Sequence, residues 1–205
     1  MQKEECYNTG EQKKEVHAVM AKTESNMFPL GKEAPDFALP DVISEKTVSL
    51  KDIQSSVATV IMFICNHCPY VKHVQNQLVQ LANDYIPKGI SFVAINSNDI
   101  KQYPDDSPEK MKEVAEKLQY PFPYLFDETQ ETAKAYQAAC TPDFYVFDGE
   151  LKCVYRGQLD DSRPGNDIPV TGESIRTALD QIISGEPVTV TQKPSLGCNI
   201  KWKQV

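Results

Sequence analysis

An apolar run that ends in two closely spaced cysteines is the feature that most restricts the fold of this chain. Residues 57–64 carry no charge and are rich in β-branched and apolar side chains, which is typical of a strand buried on both faces. Cys65 and Cys68 follow at once, and an amphipathic run begins at Val71. The sequence therefore predicts two thiols at a strand-to-helix junction, where a disulfide can close and open with little backbone movement.

The predicted start of a helix also affects the chemistry of the two thiols. A helix N-terminus carries partial positive charge and free N–H groups, which favour a thiolate at Cys65. A protonated His67 would favour it further, and the alternative is that His67 is simply solvated. Residues 57–64 contain no carboxylate that could accept a proton from the second cysteine, so the sequence leaves the proton acceptor unassigned.

Length, charge and cysteine usage argue against several classes of protein. The chain has 205 residues, 40% of them hydrophobic, which is enough for one substantial core. Its formal net charge is -8 and its Lys and Arg are dispersed, so we expect neither nucleic acid nor a membrane as a partner. The six cysteines are too sparse for a disulfide-scaffolded secreted fold, and the first thirty residues lack an apolar stretch for a signal peptide or anchor. A cytoplasmic location is therefore expected.

Changes in composition along the chain predict one domain between two tails. Residues 1–30 are polar, without sustained periodicity, and are predicted to form a flexible arm. Met20 is an alternative start, so residues 1–19 need not belong to the native protein. The domain itself is predicted at residues 31–186, and residues 187–205 form a C-terminal tail that packs on it.

The order of strands and helices predicts a mixed sheet with helices on both faces. The run 57–64, the helix that follows it and the apolar run 90–95 form a βαβ unit with parallel strands. Asp148-Gly149 is typical of a hairpin turn, so the two strands beside it should be antiparallel. The other predicted elements are an N-terminal β-hairpin of strands 37–39 and 47–50, a strand at 124–126, strands at 144–147 and 152–155, and helices near 108–118, 129–138 and 175–183.

This order of elements, with Cys-x-x-Cys after the first core strand and Thr-Pro before the hairpin, resembles the thioredoxin fold. More narrowly, the chain is similar to the peroxiredoxin-like (redoxin) branch of thioredoxin-family proteins, within the alkyl hydroperoxide reductase and thiol-specific antioxidant (AhpC/TSA) superfamily. The segments that carry the resemblance are Ala34–Phe37, Phe63–Tyr70, Thr141–Phe144, Tyr155–Gly157, Asp160–Asn166 and Gly197–Trp202.

The resemblance implies a thiol–disulfide oxidoreductase with a thioredoxin-like α/β fold. Cys65 would attack a disulfide and Cys68 would resolve the mixed disulfide, so that the two form the redox-active centre. Pro142 would be a cis-proline facing the pair, and His67, Thr141 and Pro142 are the predicted supporting residues of the two cysteines. The expected partners are a disulfide-containing protein or low-molecular-weight thiol substrate and an external dithiol reductant, with no cofactor and no metal.

Two other functions stay open. In peroxiredoxins the peroxide-attacking cysteine follows a Thr-x-x-Cys pattern, and here Cys65 takes the place of that threonine. Cys68 would then match the peroxidatic position, so a thiol-dependent peroxidase with antioxidant activity is the second hypothesis. The third is a metal-binding or noncatalytic interaction module, since Cys65, His67, Cys68 and His73 offer ligands for zinc or copper. Helical spacing, however, puts His73 more than one turn from the cysteines.

Three residues outside the pair are auxiliary candidates. Cys140 adjoins the predicted cis-proline and is a possible third redox thiol, although burial as an apolar side chain is the more common state of such a cysteine. Cys198 lies in a tail segment that could fold back toward the pair, with packing as the alternative. Arg156 is a candidate for orienting an anionic or peroxide substrate, or for an Arg–Asp network that ties down a loop. Cys6 and Cys153 are predicted to be a free bystander and a core residue.

Overall fold

The computed structural model describes residues 22–204 and has the expected alternation of strands and helices. None of the helices in this range is long and apolar enough to cross a membrane. In chain order, the elements of this range are β1 (Lys22–Glu24), β2 (Ala38–Pro40), β3 (Thr47–Ser49), α1 (Leu50–Ile53), β4 (Ala58–Phe63), α2 (Pro69–Tyr85), β5 (Ile90–Asn96), α3 (Pro108–Leu118), β6 (Tyr124–Phe126), α4 (Glu131–Ala135), β7 (Cys140–Thr141), β8 (Asp143–Asp148), β9 (Cys153–Gly157), α5 (Glu173–Ile183) and β10 (Leu196–Asn199).

A five-stranded mixed sheet in the order β6-β5-β4-β8-β9 forms the centre of the fold. β4 pairs in parallel with β5, and β5 pairs in parallel with β6. β8 is antiparallel to β4, and β9 is antiparallel to β8. The predicted mixed sheet, its parallel βαβ unit and its antiparallel hairpin are thus confirmed.

The sheet separates two apolar cores, because successive side chains of a strand point to opposite faces. Every residue of β4 is buried: Val60 and Met62 belong to one core, and Ile61 and Phe63 to the other. Helices α2 and α5 contribute to the first core, and α1 and α4 to the second. Helices therefore cover both faces of the sheet, as predicted. Because β4 is buried on both faces, residues 57–64 form a continuous apolar run in the sequence.

The N-terminal hairpin is present as β2 and β3, which pair antiparallel. The predicted boundaries at Leu50 and at the ends of the helix 129–138 are wrong. Leu50 begins α1 instead of ending a strand, because Ser49 and Asp52 form a capping box that starts a helix there. The predicted helix 129–138 is reduced to α4, which begins at Glu131 and ends at Ala135.

A small sheet that the sequence did not predict joins the two ends of the described chain. Its order is β1-β10-β7, with antiparallel pairing throughout. The arm boundary predicted at residue 30 is too late, because β1 already belongs to this sheet and Phe28 is packed on the rings of Tyr136 and Tyr145. The rest of the predicted arm, residues 1–21 with Cys6 and Met20, lies outside the described residues.

Candidate active site

Cys65 and Cys68 lie where the end of β4 meets the start of α2. The backbone N–H of Ile64 donates to the carbonyl oxygen of Ile95 at 3.0 Å, which keeps the chain on the sheet until it turns. Cys68 is the N-cap residue of α2, and Pro69 takes the first helical position, where a missing N–H leaves no bond unmade. Both cysteines are buried, with exposed fractions of 2% and 0%.

The segment Thr141–Pro142 lies against both sulphur atoms. The peptide bond between these residues is cis, as the resemblance implies. Oγ1 of Thr141 lies 3.3 Å from Sγ of Cys65, and the carbonyl oxygen of Thr141 lies 3.2 Å from Sγ of Cys68. The thiol form of Cys68 donates to that carbonyl. Thr141, predicted only as a supporting residue, therefore contacts each cysteine of the pair.

A third thiol, that of Cys198, completes a sulphur cluster with Cys65 and Cys68. Strand β10 places Cys198 opposite Thr141 of β7, and its Sγ lies 2.8 Å from Sγ of Cys68. None of the five cysteines within residues 22–204 is in a disulfide. The structure thus brings the auxiliary candidate Cys198 into contact with the predicted pair.

Hydrogen bonds within the sulphur cluster favour negative charge on Cys68. The Cys198 thiol, as the larger cause, and the Cys65 thiol both lower the pKa of Cys68, and the backbone N–H of Val71 adds to them. Burial first, then donation to Cys68, raises the pKa of Cys65. Donation to Cys68 is also the main cause that raises the pKa of Cys198. The Thr141 carbonyl opposes this preference, since it accepts a bond only from the thiol form of Cys68.

This charge distribution differs from the expected thiolate at Cys65. The main reason is the pair of hydrogen bonds that Cys68 receives from Cys198 and Cys65. The turn between the two cysteines adds to it, because Cys68, not Cys65, is the N-cap residue of α2. The favourable field of a helix N-terminus is strongest within the first turn. Cys65 lies three residues earlier, and burial is the largest cause that raises its pKa.

His67 contacts a buried carboxylate, Asp106, which the sequence analysis missed. Nδ1 of His67 lies 2.5 Å from Oδ2 of Asp106. The carboxylate also accepts from the backbone N–H of Asn66 at 2.7 Å and from Nδ2 of Asn98 at 2.8 Å. A nitrogen of His67, an oxygen of Asp106 and Sγ of Cys65 lie within 4.8 Å of one another. A His–Asp pair therefore sits beside the first cysteine.

The His–Asp pair can supply the proton acceptor that residues 57–64 lack. When Nδ1–H donates to Asp106, a neutral His67 carries its lone pair on Nε2. Nε2 is buried and has no hydrogen-bond partner within residues 22–204. One sequence signal points to this location: the polar residues 97–99 follow the buried strand β5, whose carboxyl end lies at the same sheet edge as that of β4.

The other two auxiliary candidates, Cys140 and Arg156, contact residues that belong to the packing of the fold and not the cysteine pair. Sγ of Cys140 lies 3.7 Å from the carbonyl oxygen of Pro142, and burial raises the pKa of this thiol. Arg156 donates to Oε1 of Gln192 at 2.6 Å, so this side chain ties the C-terminal tail to β9. Cys153 is a core residue, as predicted, and burial raises its pKa to about 12.

The metal-ligand set considered from the sequence is not assembled. Nε2 of His73 lies 2.7 Å from Oγ of Ser162, so the His73 ring is hydrogen-bonded to Ser162 and does not join the two cysteines. The metal-capable group within residues 22–204 is instead Cys65, His67 and Asp106. A closed structural zinc site takes four ligands, and the oxygens of Asp106 already accept hydrogen bonds. This set fits proton transfer better than a closed metal centre.

Comparisons with known proteins agree with this architecture. The AhpC/TSA family model matches residues 30–156. An uncharacterized conserved protein from Geobacillus kaustophilus is 72% identical over 91% of this chain and 98% of its own, with a TM-score of 0.90. A hypothetical protein from Sinorhizobium meliloti 1021 is 45% identical over 89% of this chain and 100% of its own, with a TM-score of 0.87.

A more distant structure shares the fold. The thioredoxin domain of a thiol-disulfide oxidoreductase from Bacteroides vulgatus is 17% identical over 72% of this chain and 96% of that domain, with a TM-score of 0.56. This likeness confirms the predicted thioredoxin-like fold. No curated protein sequence matches the chain.

Proposed function

Because the chain belongs to the AhpC/TSA family, we propose that it is a thiol–disulfide oxidoreductase that uses Cys65 and Cys68 as its redox couple. The observation that carries the proposal is the contact of both sulphur atoms with Thr141, beside the cis peptide bond to Pro142. The substrate is a disulfide of a protein or of a low-molecular-weight thiol. An external dithiol returns the couple to its reduced state, and the proposed compartment is the cytoplasm.

In the proposed reaction Cys68 attacks first, because its pKa is the one that the neighbouring thiols lower. Its thiolate forms a mixed disulfide with one sulphur of the substrate, and the other sulphur leaves as a thiolate that takes up a proton. Cys65 then attacks Sγ of Cys68 and releases the second substrate thiolate. The chain is left with a Cys65–Cys68 disulfide, so the two electrons that reduce the substrate come from the dithiol.

The His67–Asp106 pair supports the second step. Burial, donation to Cys68 and the charge of Asp106 all raise the pKa of Cys65, so this thiol needs a nearby base before it attacks. We assign that role to His67, one nitrogen of which lies within 4.8 Å of Sγ of Cys65. The carboxylate of Asp106 stabilises the imidazolium that results.

Access to the cluster requires local opening, since Cys65 and Cys68 have exposed fractions of only 2% and 0%. The segment in direct contact with Cys68 is β10, a four-residue strand held between two shorter ones. Short strands of this kind open at lower free energy than the central sheet. We therefore place substrate entry at a displacement of β10.

One observation favours a second candidate function. The thiol whose pKa is lowered is Cys68, which is also the cysteine that matches the peroxidatic position of peroxiredoxins. In that reaction the Cys68 thiolate would attack a peroxide oxygen, form a sulfenic acid and release water or an alcohol. Condensation with the Cys65 thiol would release a further water and give the same disulfide.

Thiol trapping separates these functions. Reduced wild type, Cys68→Ser and the matched control Cys153→Ser are exposed to oxidised glutathione or to hydrogen peroxide, alkylated, and analysed by intact mass and peptide mapping. The proposal expects an internal disulfide containing Cys68 in wild type and in the Cys153 variant, and none in the Cys68 variant.

Other outcomes reject the proposal. Rapid sulfenic acid formation at Cys68 in a chain that is inert to glutathione disulfide would establish the peroxidase instead. Stoichiometric zinc that co-purifies with the reduced chain and blocks both reactions would establish a metal-binding module.

A further inference from the structure

The C-terminal tail brings Cys198 within near-bonding distance of Cys68. The two Sγ atoms lie 2.8 Å apart, whereas a disulfide bond measures about 2.0 Å. Both side chains are buried, at 2% and 0% exposed, so no solvent separates them. A small side-chain movement is enough to join these two sulphur atoms.

Gly197 and Ser195 hold the C-terminal tail close to the segment Thr141–Pro142, which brings Cys198 near Cys68. A Cβ atom on Gly197 would overlap the carbonyl oxygen of Thr141, so only glycine lets β10 lie so close to this segment. The same carbonyl oxygen contacts Sγ of Cys68 at 3.2 Å. Two residues before Gly197, Oγ of Ser195 donates to the carbonyl oxygen of Pro142 at 2.6 Å.

The other end of the tail strand is anchored as well. The backbone N–H of Ile200 donates to the carbonyl oxygen of Ala139 at 3.1 Å. The backbone N–H of Lys201 donates to Oδ1 of Asn98 at 2.8 Å, and its carbonyl oxygen accepts from Nε2 of Gln130 at 2.9 Å. Cys198 is thus held over the site from both sides.

From this placement we propose that Cys198 is a third redox-active thiol, which exchanges the disulfide of Cys68. The inference rests on the proposed function of the Cys65–Cys68 couple. In the exchange, the Cys198 thiolate attacks Sγ of Cys68, a Cys68–Cys198 bond forms and the Cys65–Cys68 bond breaks. Cys65 leaves as a thiolate and takes up the proton that Cys198 lost, so no electrons enter or leave the chain.

The same attack resolves a mixed disulfide. When Cys68 carries a substrate thiol, Cys198 attacks Sγ of Cys68 and releases that thiol. A displaced β10 admits the substrate to Cys68, and its return brings Cys198 back to the bond that must be broken. Entry and release are thereby coupled to one movement of the tail.

Oxidation of the pair also prepares Cys198 for attack. In the reduced site the Cys68 sulphur, through a hydrogen bond and its charge, is a main cause of the raised pKa of Cys198. Once Cys68 is in a disulfide it carries no negative charge, so this cause is removed. Burial and the neighbouring Cys140 still raise the pKa of Cys198, and Lys201 lowers it.

The test compares three full-length variants: Cys65→Ser, Cys65→Ser with Cys198→Ser, and Cys65→Ser with Cys153→Ser as the matched control. Each is reduced, mixed with oxidised glutathione, alkylated over time and mapped by mass spectrometry. We expect a glutathione adduct on Cys68 that disappears in the first and third variants, with formation of a Cys68–Cys198 disulfide. The variant without Cys198 should retain its adduct.

Retention of the adduct in all three variants would overturn the role of Cys198. If oxidised wild type then contained only the Cys65–Cys68 bond, the proposed function of that couple would still hold. A chain that forms no adduct and no internal disulfide in any form would reject both. A measurement on wild type guards against misfolded variants: peptide maps of the oxidised chain should contain both Cys65–Cys68 and Cys68–Cys198 linked peptides, and complete absence of the second overturns the inference.

Discussion

Asp143 gives a quantitative prediction about pH. It follows the cis-proline on β8, where Oδ1 accepts from the backbone N–H of Phe144 at 3.1 Å and Oδ2 accepts from the hydroxyl of Tyr145 at 3.0 Å. Burial raises the pKa of Asp143 to about 8 in spite of these donors. In an unfolded chain the pKa of an Asp side chain is about 3.9.

The sign of the effect follows from the proton that the folded chain retains. Between about pH 4 and about pH 8 the unfolded state has lost this proton and the folded state still binds it, so the free energy of unfolding falls as pH rises. A separation of about four pKa units corresponds to roughly 5 kcal/mol. The loss is complete above about pH 8 and is large against a typical domain stability of about 5–15 kcal/mol.

Urea denaturation of reduced wild type and Asp143→Asn, from about pH 5 to about pH 8, measures this effect. The asparagine keeps an acceptor for Phe144 and an amide that can donate to the Tyr145 hydroxyl, but it does not titrate. The free energy of unfolding of wild type should fall relative to the variant by about 1.4 kcal/mol per pH unit. Parallel profiles would refute the assignment, because other titrating groups cancel in the difference.

Three further predictions concern the tail, the His–Asp pair and a helix cap. Gly197→Ala forces a Cβ against the Thr141 carbonyl; it should lower the free energy of unfolding by about 1–3 kcal/mol and speed alkylation of the sulphur cluster, and wild-type values for both would contradict the close approach. Asp106→Asn removes a charge that, after burial and donation to Cys68, raises the pKa of Cys65, so the midpoint of Cys65 alkylation should move to lower pH. An unmoved midpoint would leave burial and the contact with Cys68 as the causes. Ser107→Ala removes the acceptor that caps α3 and should lower the free energy of unfolding by about 1 kcal/mol in urea; no loss would refute the cap.

The central fold could be predicted because its signals are local. β4 is buried on both faces and reads as a continuous apolar run, and α3 begins with a Ser-Pro pair at its cap and first position. The sheet of β1, β10 and β7 has no such signal, since its strands have two to four residues and come from distant parts of the chain. Segments this short show no periodicity.

The site, like the fold, could be predicted where its signals are local and not where it depends on tertiary contacts. The motif located Cys65 and Cys68, and the resemblance supplied Pro142. The role of Asp106 depends on a loop that folds back to the turn between the cysteines, and the contact with Cys198 depends on the unpredicted sheet. Both are tertiary contacts, which spacing along the sequence does not encode.

The first internal disulfide to form is the most direct test of the claim that Cys68 is the attacking thiol of the redox couple. Reduced wild type is mixed rapidly with oxidised glutathione, quenched in acid and mapped by mass spectrometry at successive times. The account predicts that the first internal bond contains Cys68, joined to Cys65 or passed on to Cys198, while Cys140 and Cys153 stay reduced. A Cys68 that remains reduced while other cysteines of the chain become oxidised would contradict it.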